Sequence, residues 1–599
     1  MSPSVPGGPN RRCRVALSRL ATALLAMALA GCALSPARRA EVDARLAQAQ
    51  AHAQAGTAQS CTAAAGCAAI DSPFHEFLAT QAGRHHVLPL ELGSDALRIR
   101  LHLLRAARHS IDLQTYIFKP GAGSDLVLAE LEAAARRGVR VRLLVDQLFS
   151  LNHPGLLANL VRVHPNLSLR VYNPTFNQAR TSPGEFAAGI LCCFSRFNQR
   201  MHTKLFAIDG EVGILGGRNY ADTYFDLDPE FAYYDRELLV TGPVVADMVA
   251  AFDRFWAHPR AVPAQYLTDV ARQLRRVAPG ESAPQPQAEI DPAIHAQAAR
   301  FAAEAADDAL VRGRFLAPML PVESIRFVAD APVKVGSRRP EANAVSLEIA
   351  GLVAGARRDL LIQTPYLVLD RPSRRLLRAR RSEPEPPQVR VSTNSLAATD
   401  AFPVYALTWK YKKRYLRELG FQIHEMRPDP EDLERMVELA GPVRAPRNSM
   451  HGKTLVVDGH TSLVGSHNFD PRSDRFNTES ALVIEDAALA ARLTATIERD
   501  MAPGNAWLIA RGPRGPAPFY RMGRAIERIS TALPVFDLWP FRYATSYELQ
   551  PACPPLARTH PQFHLCHADV GDFPGEDSFW KRVLTRLSAA FGAPLLPVL

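Results

Sequence analysis

The chain has 599 residues, 47% of them apolar, with a formal net charge of +10. That apolar content excludes a disordered chain, and the length suggests about three or four units of roughly 150 residues. The basic balance suits an anionic partner such as a phospholipid surface, a phosphodiester or nucleic acid, although an Arg- and Ala-rich composition gives the same charge with no partner at all.

At the N-terminus, Arg11, Arg12, Arg14 and Arg19 precede an uncharged apolar run from Leu20 to Ala30. The run is too short to span a bilayer and has the length of a signal h-region. It ends in Leu29-Ala30-Gly31-Cys32, which resembles a bacterial lipobox. Residues 1–32 are therefore expected to be a lipoprotein signal, with Cys32 lipidated and the protein held in the bacterial cell envelope, facing the periplasm. Of the remaining cysteines, Cys61–Cys67 and Cys553–Cys566 are local pairs that an exported chain can oxidise. Cys192 and Cys193 are adjacent, and a strained bridge or two free thiols stay open there. Residues 33–80 are Ala-, Gln- and Arg-rich and are expected to be a tether, helical near Ala40 to Ala53, with the folded part beginning near Leu88.

An internal repeat follows. Ala107-Arg-His-Ser-Ile-Asp-Leu-Gln114-Thr115 matches Ala356-Arg-Arg-Asp-Leu-Leu-Ile-Gln363-Thr364 at an offset of 249 residues, and the same offset carries His202 to His451. It also carries Lys204 to Lys453, Asp209 to Asp458, Gly216 to Gly465 and Asn219 to Asn468. Within each half the pattern predicts a strand (111–117, 360–364), then in the first half a helix (126–137), then a second strand (139–145, 389–393). Such alternation argues an α/β fold with a largely parallel sheet. The expected division is repeat 1 over 81–260, a connector over 261–335, repeat 2 over 336–510 and a C-terminal extension over 511–599.

The chemistry-bearing segments are Met201-His202-Thr203-Lys204, running to Asp209-Gly210, and Met450-His451-Gly452-Lys453, running to Asp458-Gly459. Each reads as a strand, an Asp-Gly turn and a second strand. Residues two apart on a strand share a face, so each His and Lys points the same way. Imidazole serves as nucleophile or general acid near neutral pH, while lysine and asparagine hold phosphoryl oxygens. One copy supplies one His; two copies together supply both roles in phosphodiester cleavage.

His-x-Lys-x4-Asp twice in one chain resembles the signature of the phospholipase D superfamily. Gly216-Gly-Arg-Asn-Tyr-Ala-Asp-Thr-Tyr-Phe225, Thr393-Asn-Ser-Leu-Ala-Ala-Thr-Asp400 and Asn468-Phe-Asp-Pro-Arg-Ser473 resemble its bacterial cardiolipin synthase branch. The resemblance implies two α/β/α sandwich repeats packed as a pseudo-two-fold unit, with the active site at their interface. It implies catalytic roles for His202, Lys204, Asp209, His451, Lys453 and Asp458, with the two Asp residues fixing the hairpins. It assigns phosphate to Asn219, Asn468 and Ser466, where the first half has Gly217. Glu479, and Glu237 as its first-half counterpart, are expected to orient the histidines. His202 would be the nucleophile and His451 the acid/base. The implied activity is phosphatidyl transfer through a phosphohistidine, giving cardiolipin from phospholipids including phosphatidylglycerol; a hydrolytic phospholipase D and a nuclease are the alternatives. Phospholipids and a membrane surface are the implied partners, with no nucleic acid, cofactor or metal, and the sequence is silent on oligomeric state.

Other features read more plainly. Arg371, Arg374, Arg375, Arg378, Arg380 and Arg381 could bind lipid phosphates or nucleic acid, but the run reads first as a solvated helix face. Trp507, Trp539 and Trp580 read as core. His560, His564, Cys566 and His567 loosely resemble metal-ligand spacing, but a Cys553–Cys566 bridge accounts for the cysteine more simply.

Overall fold

The computed structural model describes residues 34–61, 69–285, 290–337, 339–438, 446–512 and 543–591. Cys32, Cys67 and Trp539 lie outside these residues, and with them the lipobox and the Cys61–Cys67 pairing.

The first half builds β1 (His85–Leu90), β2 (Ser110–Phe118), β3 (Arg140–Ser150), β4 (Leu167–Tyr172), β5 (Leu205–Ile208), β6 (Val212–Gly216), β7 (Phe231–Tyr234), β8 (Glu237–Thr241) and β9 (Ala261–Pro263). The connector adds β10 (Leu320–Val322) and β11 (Ser324–Ala329). The second half builds β12 (Asp359–Gln363), β13 (Gln388–Asn394), β14 (Gln422–Met426), β15 (Arg447–Met450), β16 (Thr454–Val457), β17 (Thr461–Gly465), β18 (Ser480–Glu485) and β19 (Ala506–Arg511). β20 (Ala544–Leu549) and β21 (His567–Gly571) follow.

One sheet has the order β10-β1-β8-β6-β5-β2-β3-β4-β9, the other β11-β18-β17-β16-β12-β13-β14-β19-β20-β21. Within these two sheets, among the described residues, only β2-β3-β4 and β12-β13-β14 run parallel, and β7 and β15 pair in parallel as a separate two-stranded sheet. The sheets are therefore mixed rather than largely parallel, because the Asp-Gly hairpins lay β5 and β16 antiparallel against β2 and β12. Asp209 and Gly210 (φ 53° and 71°), like Asp458 and Gly459 (54° and 65°), take the left-handed backbone of a tight three-residue hairpin loop.

Helices cover both faces of each sheet. Helices 93–106 and 122–136 pack on the outside of the first sheet, and helices 344–355 and 402–417 on the outside of the second. Between the halves lies one common core. It joins Leu205, Leu215, Leu238 and Val240 to Leu361, Val456, Val464, Leu482 and Ile484, flanked by Met248 and Phe252 from helix 244–256 and Leu493 and Ile497 from helix 487–500. Each such side chain contributes roughly 1.5–3 kcal/mol on burial, so the two halves hold each other in place. This is the two-repeat α/β/α architecture expected.

The flanking segments differ from their sequence reading. Residues 36–61 form a helix docked on repeat 1, with Val42 and Ala49 buried and Gln50 Nε2 donating to the Val161 carbonyl at 2.8 Å. A free tether is thus corrected to a packed element, and ordered structure starts well before Leu88. The connector supplies an edge strand to each sheet, and β20 and β21 extend the second sheet beyond β19. Cys553–Cys566 is joined, and so are Cys192 and Cys193. Trp507 is buried, whereas Trp580 is 70% exposed, a correction to its core reading. Among the described residues no helix is long and apolar enough to cross a membrane.

Candidate active site

The two His-x-Lys segments sit just ahead of β5 and β16, and each is pinned by the opposite half. Met201 bridges Thr478, and the His202 amide donates to the Thr478 carbonyl at 3.0 Å. In the other half β15 pairs with β7, Met450 against Tyr234, and the His451 amide donates to the Tyr234 carbonyl at 2.6 Å. Each segment is also held from its own half: Met201 N–H donates to Asp146, and Met450 N–H to Asn394, both at 2.9 Å. Asp146 carries a buried Arg200 at 3.2 Å, a neutralisation that Asn394 does not require.

The residue after each pinning carbonyl is the acid that holds the histidine. Glu479 Oε2 lies 2.9 Å from His202 Nδ1, and Asp235 Oδ2 lies 2.5 Å from His451 Nδ1. Repeat 2 thus orients the histidine of repeat 1, and the reverse. Glu237, expected in this role, is corrected. It pairs with Gly216 on β6 and gives its carboxylate to Arg100 (2.6 Å) and Arg218 (3.1 Å). The strand register reveals why. Gly216 faces Glu237, and Gly465 faces Ala481. Ala481 is therefore the true counterpart of Glu237, and Asp235 that of Glu479. Aligning Leu238-Leu239-Val240 with Leu482-Val483-Ile484 without a gap would have exposed this in the sequence.

A carboxylate only accepts, so Nδ1 of each ring carries the proton and Nε2 keeps its lone pair. Burial pushes His202 down to about 3, opposed by Glu479 and reinforced by Lys204 and Lys453. Burial lowers His451 too, aided by Lys453 and opposed by Asp235 and Asp400. Both rings are thus neutral near pH 7. Against their own burial, Glu479 is held down to about 2 by the charges of His202, His467 and Lys204, and Asp235 to about 2 by His451 and Lys453. Burial pulls Lys453 down to about 8 and Lys204 well below its usual range. Both ammonium groups donate to the carbonyl of their own histidine, Lys204 at 2.6 Å. Each lysine feels the acids of both halves, so the two half-sites share one electrostatic environment.

Asp209 accepts from the amides of Arg108, His109 and Ser110, and Asp458 from those of Arg357, Arg358 and Asp359. Both sit on the turns at the far ends of β5 and β16 and lock them to β2 and β12. Asn219 is tied at both ends of its amide, to Ile117 N–H (3.2 Å) and the Tyr224 hydroxyl (2.9 Å). Asn468 keeps a buried Oδ1 without a partner among the described residues. Ser466 donates to Glu479 at 2.5 Å and accepts from Ser480 N–H at 3.0 Å, so its hydroxyl is spent on the acid rather than left for phosphate, a correction to its expected role. In repeat 1 that place must be Gly217, because a Cβ there would lie 2.5 Å from Asp235 Oδ1.

Aromatic walls, unseen in the sequence, complete the site. Tyr116 stands edge-on to His202 at 4.9 Å. Tyr224 and Tyr233 flank His451 at 5.4 and 5.1 Å. Asp400 accepts from Tyr233 (3.0 Å) and Tyr366 (2.8 Å).

Similarity to known proteins agrees with this geometry. The family model described as "Cardiolipin synthase, PLD-like domain" matches residues 101–256 and 349–501. The chain is 32% identical to cardiolipin synthase C of Escherichia coli (strain K12) over 415 residues, 68% of this chain and 83% of that protein. It is 25% identical to cardiolipin synthase A of Serratia proteamaculans over 407 residues, 65% of this chain and 64% of that one. Phosphatidylserine synthase of Haemophilus influenzae aligns in structure with a TM-score of 0.43 at 16% identity, over 71% of this chain and 89% of that one. Two family matches, each spanning one of the two His-x-Lys segments, leave one reading: the chain is an enzyme of the phospholipase D superfamily and belongs to its cardiolipin synthase-like family.

Proposed function

We propose that the enzyme transfers a phosphatidyl group from one phospholipid to the glycerol of phosphatidylglycerol, making cardiolipin through a phosphohistidine. The observation that carries this reading is the cross-wired pair of histidines, each neutral, buried and oriented by a carboxylate of the other half. In the proposed first step the arriving phosphate anion, with Asp235 and Asp400, draws a proton from solvent onto His451 Nε2; His202 Nε2 attacks phosphorus, the bond to the leaving alkoxide breaks, and His451 delivers that proton to the leaving oxygen. In the second step His451 takes the proton of the acceptor alcohol, which attacks phosphorus and releases His202. Lys204, Lys453 and Asn468 hold the non-bridging oxygens, and an arriving phosphate anion favours the protonated lysines. Asp400 supports the assignment of roles. Its charge raises the basicity of His451, and the largest charges acting on His202 do not include it. A base that must gain and lose a proton gains from that neighbour, whereas a nucleophile is better left neutral.

The E. coli relative's name as a cardiolipin synthase supports the choice of product. Phospholipid substrates put the site at a membrane surface, and Cys32 is the proposed anchor in the cell envelope. Purified protein in phosphatidylglycerol vesicles, with lipid products resolved by mass, tests the reading. Cardiolipin with free glycerol is expected. Phosphatidic acid and free head group without cardiolipin would make the protein a hydrolase.

A further inference from the structure

The arginine helix falls outside the chemistry described so far. It spans Arg371–Arg381 and begins at the position equivalent, by the 249-residue offset, to the helix Ala122–Arg136 of repeat 1. Arg371, Arg374, Arg375 and Arg378 share one helix face by their spacing. The same four positions in repeat 1 hold Ala122, Asp125, Leu126 and Ala129, so the fold itself does not call for arginine there. These four side chains, with Arg414 and Glu418 across from them, line an open cleft of about 350 Å³.

The cleft carries five arginines against one acid. Glu418 reaches Arg378 at 2.6 Å. Among the described residues neither Arg371 nor Arg375 has an ion-pair partner. Tyr411 holds two of the guanidinium groups over its ring, Arg374 at 5.6 Å and Arg414 at 5.3 Å. Arg374 is further fixed by donating to the Leu369 carbonyl. Like charges at these spacings repel and destabilise a helix, so a one-sided arginine face is unfavourable unless anions meet it. Arginine forks match phosphate geometry. The start of the arginine helix is also tied to segments that carry site residues. Asp370 caps the arginine helix and receives Arg475 at 3.4 Å from the helix 471–475 that follows Asn468, and Tyr366, whose hydroxyl meets Asp400, lies in the loop leading to that cap.

We propose that this cleft is a non-catalytic docking site for the phosphate head groups of an anionic lipid bilayer, which seats repeat 2 so that the catalytic rim faces the membrane. The choice of a lipid anion rests on the proposed phospholipid chemistry; the test reads binding alone, so that it can fail separately from turnover.

The test is flotation of the full chain with phosphatidylcholine vesicles made with and without phosphatidylglycerol, with Cys32→Ser in every protein so that an acyl anchor cannot mask the difference. The wild type is expected to partition onto the anionic vesicles and to leave them as salt rises. The combined variant Arg371→Gln, Arg375→Gln, Arg378→Gln, Arg414→Gln should lose at least about tenfold in partition, since each arginine at an anionic surface adds appreciable attraction. Glu418→Gln removes the one acid and should bind more tightly, a gain that misfolding cannot mimic. Equal partition of the quadruple variant and wild type, or no change in Glu418→Gln, would overturn the proposal. So would displacement by inorganic phosphate or by oligonucleotide at concentrations that leave no vesicle preference.

Discussion

The two half-sites share a scaffold and differ in what surrounds each acid. At His202 the acid is Glu479, gripped by Ser466 and, through its backbone N–H, by Asp330. At His451 the acid is Asp235, shorter by one methylene and packed against Gly217, with Tyr224, Tyr233 and the Asp400 carboxylate close by. The two repeats thus present two copies of one geometry, and a few side chains give the two histidines different surroundings. Because each acid serves the other half's histidine, neither repeat is a working half on its own.

The largest effect should come from the histidines. His202→Ala and His451→Ala each are expected to lower kcat at least about 10⁴-fold, since in the proposed mechanism each removes the nucleophile or its acid/base partner and so disables the whole unit. Near-normal turnover in either variant would break the shared-site account. Next come the acids. Asp235→Asn and Glu479→Gln should lower kcat by roughly 10²–10⁴-fold through the wrong histidine tautomer, with thermal stability changed far less. Glu237→Ala should invert that pattern. It leaves Arg100 and Arg218 buried without their carboxylate, at roughly 3–5 kcal/mol of stability, and a melting curve beside a kcat measurement separates the two classes.

Acid should also act through the site. His202 is held near 3 in the fold against 6.5 unfolded, so the unfolded chain takes the proton first. The stability conferred by its neutral burial is complete above pH 6.5 and is lost as pH falls toward 3. That loss is on the order of a few kcal/mol. Glu479 and Asp235, held near 2, add a second loss below about 4.5, of the same sign. Urea midpoints at neutral and acid pH should fall less steeply in His202→Gln. The smallest effect belongs to Ser466→Gly, which makes the second half resemble the first. Losing one hydrogen bond to Glu479 should cost kcat about tenfold or less, and a loss as large as that of Glu479→Gln would mean that Ser466 itself meets substrate.

Much of this arrangement is legible in the sequence. The 249-residue offset gave both histidines, both lysines and both hairpins, because local turn chemistry and strand alternation fix them. The acids were harder. Repeat 1 reaches β8 by a longer loop than repeat 2 reaches β18, so the 249-residue offset does not carry across it, and the strand register, or the match of Leu238-Leu239-Val240 to Leu482-Val483-Ile484, places Asp235 rather than Glu237. The cross-wiring, the tyrosines and Asp400 depend on how the halves pack, which no local pattern encodes. The arginine run reads as a solvated face because a sequence does not say that Tyr411 and Arg414 lie across from it.

The central claim is that unequal surroundings give the histidines unequal jobs, and trapping the covalent intermediate tests it most directly. With His451→Ala, a phosphatidyl adduct should accumulate on His202 and be found there by peptide mass. An adduct on His451 in the His202→Ala protein, with none on His202 in the reciprocal variant, would contradict the account.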